Sequence, residues 1–89
     1  MKHYYSTVNN VILTHSDMLN ENHSRRVVVR FERPNDNGFD FAEGVLPECT
    51  FQKQAGFNEN EIFELLDYLR CNSPLIWEFA QKNGGDENA

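Results

Sequence analysis

The stretch from Arg26 to Leu46, RVVVRFERPNDNGFDFAEGVL, limits the fold more than any other part of this chain. Two apolar-aromatic runs flank Pro34, Asn35, Asp36, Asn37 and Gly38, residue types that preset φ, cap turns with side-chain oxygens or accept positive φ. That pattern specifies an antiparallel β-hairpin. Within it Val27, Val29 and Phe31 share one face, and Arg26, Val28, Arg30 and Glu32 share the other. Phe39 and Phe41 alternate in turn with Asp40 and Ala42. Keeping both apolar sets on one face requires paired residue numbers with an even sum. A sum of 70 sets Phe31 opposite Phe39, Val29 opposite Phe41 and Arg30 opposite Asp40. In that register the aromatic residues belong to the core. Glu43 then falls among apolar positions, so Gly44 is expected to mark a bulge that reverses the facing before Val45 and Leu46. Pro47 ends the strand.

Other strands are weaker. Val8 to His15 reads as a β-strand next to a turn or bulge at Asn9 and Asn10, and Cys49 to Lys53 as an edge strand. Ser16 to Ser24 is polar apart from Met18 and Leu19 and reads as a mobile loop.

The period changes after residue 57. Asn58, with Glu61 three residues on, forms a capping box for a helix that runs to Arg70 with Ile62, Leu65, Leu66 and Leu69 on its apolar face. Ser73-Pro74 reads as the N-cap and first residue of a second helix, because proline disfavours helical geometry in the residue before it. Leu75, Ile76, Phe79 and Ala80 give that helix an apolar face, Asn83-Gly84-Gly85 a stop, and residues 85–89 a disordered tail. The fold expected is α+β: a small antiparallel β-meander of three to four strands with a C-terminal helical hairpin packed on one face, forming a single domain over residues 1–89.

Composition narrows function. Eight Lys and Arg against fourteen Asp and Glu give a formal charge of −6, which repels phosphate backbones, so nucleic acid is not an expected partner. The 39% hydrophobic content is too high for a disordered chain. No run approaches the roughly 18 apolar residues of a membrane span or the apolar stretch of a secretory signal, and the expectation is a cytoplasmic protein that contacts no membrane. Cys49 and Cys71 belong to no C-x-x-C pair and read as reduced thiols. With His3, His15 and His23 they offer zinc-ligand types without the close pairs that a zinc site uses, so no metal or cofactor is expected. No nucleophile motif, phosphate-binding glycine loop or dinucleotide fingerprint occurs, and no catalytic residue is assigned.

Partner binding is left to surface patterns. Glu61, Glu64 and Asp67, with Tyr68, line the polar face of the first helix; Trp77 sits at the margin of the second helix's apolar face; Arg26 and Arg30 stand on the strand face away from the apolar set. Arg25, Arg26, Arg30 and Arg33 beside nearby aromatics have the composition of a single-strand binder, but in the even register arginines and aromatics lie on opposite faces. The leading expectation is a non-catalytic protein-protein interaction or regulatory module, with a homodimer in which the arginine strand meets an acidic helix as one form of it. The alternative is an acidic mimic that inhibits a nucleic-acid-binding protein, and a small enzyme ranks behind both.

Overall fold

A computed structural model describes residues 2–83. Six strands precede one helix: β1 (His3–Val8), β2 (Val11–His15), β3 (Leu19–Glu21), β4 (Ser24–Asn35), β5 (Gly38–Leu46), β6 (Thr50–Ala55) and α1 (Glu59–Asn83). The strands form a single antiparallel sheet in the order β1-β2-β4-β5-β6, with β3 beside the first residues of β4. This corrects the expected meander of three to four strands with a helical hairpin. The sheet is larger, and one continuous helix replaces the pair.

Asparagine turns create the additional strands. Asn9 and Asn10 both have positive φ, as do Asn22 and His23, which is the backbone of the two-residue turn that matches strand twist. The first joins β1 to β2 and the second joins β3 to β4, where the sequence suggested a loop. Between them Ser16 holds the chain against the sheet: its N–H donates to the Val28 carbonyl at 2.9 Å, and its Oγ accepts the Val28 N–H at 2.9 Å. β2 and β3 therefore run along the same side of β4, separated by a short bend.

The β4-β5 register also differs from the expected one. The pairs sum to 73: Phe31 faces Ala42, Arg30 faces Glu43, Arg33 faces Asp40 and Val29 faces Gly44. Turn length sets this. Asn35 pairs with Gly38, leaving a two-residue loop, and Asn35 Oδ1 accepts the Asn37 N–H at 2.7 Å. An odd sum places Ala42, Gly44 and Leu46, not Phe39 and Phe41, on the face of Val27, Val29 and Phe31. The irregularity expected at Gly44 occurs in the β5-β6 pairing, where Gln52 is the extra residue between the Glu43–Lys53 and Gly44–Phe51 pairs; β5 keeps its facing against β4.

α1 begins with the reciprocal capping box read from the sequence: Asn58 Oδ1 accepts the Glu61 N–H at 2.8 Å, and Glu61 Oε1 accepts the Asn58 N–H at 2.9 Å. It then passes through Pro74 without stopping. The Arg70 carbonyl, which loses its usual N–H donor to proline, accepts Ser73 Oγ at 3.2 Å, and the Tyr68 carbonyl accepts Asn72 Nδ2 at 2.8 Å. Continuity changes which residues are buried. Leu69, Ile76 and Ala80 are fully buried, whereas Leu75 and Phe79, expected inside, are 48% and 39% exposed. Burying a large aliphatic side chain contributes about 1.5–3 kcal/mol, so Ile76 with Ala80 and the partly covered Trp77 offsets the roughly 3 kcal/mol that proline costs inside a helix. The stop expected at 83–85 and the tail at 85–89 extend beyond the described residues.

The core lies between α1 and one sheet face, where Leu13, Val27, Val29, Phe31, Ala42 and Leu46 meet Leu69, Ile76 and Ala80. Phe31 stands edge-on to Phe51 and Tyr68, with ring centroids 5.8 and 6.3 Å away. Among the described residues, His15 is the buried polar residue on this face. Its Nδ1–H donates to the Ser16 carbonyl at 2.8 Å, and its ring lies 5.2 Å from that of His3, which pairs with Asp17. Burial lowers the His15 pKa below its ordinary value; the Ser16 carbonyl opposes the shift and His3 adds to it. A histidine whose folded pKa is depressed leaves stability complete above the unfolded value near 6.5 and erodes it as pH falls below that value. The melting temperature is accordingly expected to fall between about pH 7 and pH 5, with a shallower fall in His15→Gln, as measured by thermal unfolding across that range. An equal slope in the variant would assign the acid sensitivity elsewhere.

Candidate interaction surface

Strand alternation and register together define two sheet faces of different character. Under α1, one row runs Ser6–Leu13–Phe31–Ala42–Gln54 and the next His3–His15–Val29–Gly44–Phe51. On the opposite face the corresponding rows are Tyr4–Thr14–Arg30–Glu43–Lys53 and Thr7–Ile12–Glu32–Phe41–Ala55, with Val28 facing Val45 beyond them. Among the described residues, no helix lies on that second face: α1, the sole helix, packs on the first.

The open face is neither a plain polar surface nor a plain apolar one. Phe39 is 57% exposed and Tyr4 66% exposed, while Ile12, Val28 and Phe41 are half-buried among neighbouring side chains. Arg30 lies over the Phe41 ring, with its guanidinium carbon 4.4 Å from the centroid. Its Nε donates to Glu32 at 2.6 Å and its Nη1 to Glu43 at 2.8 Å. Hydrogen bonds to Glu32 and then Glu43 raise the Arg30 pKa, so the group carries its charge at every working pH. An arginine held by two carboxylates and an aromatic ring forms a flat, preorganised centre.

Arg33 makes the equivalent hub on the helix side. It donates to Asp40 at 2.8 Å and to Glu61 at 2.7 Å, and stacks 4.6 Å from the Phe57 centroid. The Arg33 hydrogen bond, followed by the Asn58 amide, lowers the Glu61 pKa. Arg33 thereby ties the β4-β5 hairpin to the start of α1.

The residues singled out from the sequence are dispersed. Arg30 is central to the open face, and Arg26 lies farther along β4, 3.5 Å from Glu48. Glu61 is engaged by Arg33; Glu64 and Asp67 are exposed, with Asp67 3.8 Å from Arg70. Tyr68 packs against the core, and its hydroxyl lies 2.8 Å from Ser6 Oγ. The acidic stripe is thus reduced to Glu64 and Asp67. Trp77 is half-buried beside Pro47 and Pro74, at a wide depression of about 590 Å³ that also takes in Arg25 and Arg26. A second groove, of about 390 Å³, separates the β1-β2 hairpin from α1, with Leu13 and Phe31 at its base and Glu64 and Tyr68 on its wall.

The edges of the sheet offer less than the face. β1 carries a bulge between Tyr4 and Ser6, where Tyr5 turns to donate to Asn72 Oδ1 at 2.7 Å, and β6 carries the Gln52 bulge beside Lys53. Bulges and edge lysines discourage strand addition. Sequence reasoning missed Phe39, Phe41, Ile12 and Thr14 as surface residues, and the signal that locates them is the length of the Asn35–Gly38 turn. Comparison of the chain with protein-family models, with curated proteins and with solved structures gives no match.

Proposed function

We propose that this protein is a non-catalytic interaction module whose binding surface is the open face of the sheet. One observation carries the reading: a six-stranded sheet is covered by its helix on one side, and the other side presents exposed aromatics and an arginine already held by two carboxylates. Interfaces favour this combination, with aromatic and arginine anchors enriched and unpaired charge depleted at the centre. Burying Arg30 under a partner would leave it with both carboxylates and its ring contact.

The test is photo-crosslinking in the cells that produce the protein, with a benzophenone amino acid at Phe39 on the open face or at Glu78 on the exposed side of α1. Discrete adducts are expected from position 39 and not from position 78. Adducts from position 78 alone, or from neither, would refute the assignment of the surface.

A further inference from the structure

Resting on that reading, we infer that the open face is where two copies of this chain meet, stacked sheet to sheet. Charge selects this partner. The whole chain carries −6, so two copies repel across most of their surfaces. On the open face Arg30 and Lys53 balance Glu32 and Glu43, giving a neutral area on an acidic molecule. Its centre also survives desolvation, because Arg30 keeps two carboxylate partners at 2.6 and 2.8 Å when water leaves.

Size is compatible with a dimer of modest strength. Two outward rows across five paired strands cover about 24 Å by about 14 Å, and the shorter Val28–Val45 and Pro34–Phe39 pairs at their ends bring the face to roughly 400 Å² in projection. Side-chain relief raises the accessible area above the projection, toward the roughly 800 Å² per partner of a standard interface. Antiparallel sheets stack about 10 Å apart with their strands about 30° from parallel, and the same patch on both copies closes the assembly as a pair.

The polarity of the salt effect separates this arrangement from a dimer held by arginine-to-acid contacts. An arginine strand meeting an acidic helix would weaken with salt. A neutral face joining two acidic molecules strengthens with salt, because the repulsion acting from the rest of each copy is screened over about 10 Å at 0.1 M. Moreover Arg33 and Glu61, which would serve the first arrangement, already bond to each other within the chain.

Sedimentation equilibrium of the full chain at 50, 150 and 500 mM sodium chloride tests the inference. The association constant is expected to rise about threefold or more over that range. It is expected to fall about tenfold or more in Thr14→Glu, which adds a carboxylate to the face of both copies and to their mutual repulsion, and in Phe39→Ser, which removes an exposed ring. Thermal unfolding confirms that each variant is folded, and Phe39, being largely exposed, guards against failure of the other to fold. A monomer at every salt and at high protein concentration, a dimer that dissociates as salt rises, or a dimer indifferent to both substitutions would overturn the inference. Adducts from position 39 at a mass other than twice the chain, from a protein that sediments as a monomer, would overturn self-pairing while leaving the interaction surface intact.

Discussion

Gly44→Ala is expected to cost about 3 kcal/mol or more, a large part of the stability of a chain this size, whose total is on the order of 4–13 kcal/mol. Gly44 is buried on the helix side of β5, where β6 closes in at the Gln52 bulge. A Cβ there would press deep into the Thr50 carbonyl oxygen and lie 2.9 Å from Phe51 Cδ1. The first obstacle is backbone, which cannot rotate aside. Relief requires moving β6 outward, which separates Phe51 from Phe31 and weakens the pairing of the last strand. Gly38→Ala is the comparison without a steric clash: a Cβ at Gly38 meets nothing within 4 Å, leaving only the conformational penalty of its φ of +132°, on the order of 1–3 kcal/mol. Urea titration of the two variants should show the larger loss at Gly44. Equal costs would mean that β6 accommodates the methyl group by a small shift.

The hairpin that dominates the sequence was legible as a hairpin and misleading as a register. Apolar alternation in Val27, Val29, Phe31, Phe39 and Phe41 favours an even pairing sum, because hydrophobic residues are assumed to share the core. The turn obeys a different constraint, the geometry of a two-residue loop, and it prevails. Ala42 and Gly44 then occupy core positions in place of two phenylalanines, and their small size leaves room for Phe31, Phe51 and Tyr68 to interlock. One change of parity moves Phe39 and Phe41 to the outer face and sets Phe41 under Arg30. The geometric objection to arginines acting beside aromatics therefore disappears, although Arg30 and Arg33 are each committed to two carboxylates. The turn at Asn9-Asn10 is legible from its asparagines, whereas Asn22-His23 lacks the glycine that usually announces such a turn, and the polar run around it suggests a loop where β3 lies. The capping box of α1 is legible because it depends on local hydrogen bonds, and Ile62, Leu65 and Leu69 follow from the 3.6-residue period; Tyr68, expected on the polar face, joins them against the core, whereas Leu66 does not.

Pro74→Ala is expected to stabilise the protein by about 2 kcal/mol, raising the melting temperature by roughly 4–8 °C per kcal/mol. Proline in a helix interior costs about 3 kcal/mol relative to alanine, and the alanine chain gives back about 0.4–1 kcal/mol through its freer unfolded state. The substitution restores the N–H that the Arg70 carbonyl lacks and relieves the ring's pressure on that turn. Its sign discriminates between the two possible geometries. Were the chain broken at Ser73-Pro74, proline would occupy the first helical position, where it is favourable, and alanine would be neutral or destabilising. Ser73 supplies an internal check. Its hydroxyl now serves the Arg70 carbonyl, so Ser73→Ala should be costly beside Pro74 and nearly neutral beside Ala at that position. The coupling follows because one acceptor has two candidate donors, the Ser73 side chain and the restored backbone amide. A double-mutant cycle with no coupling would show that the hydroxyl does not compensate for the proline. The burial of Ile76 and Ala80 would then have to hold the helix continuous unaided.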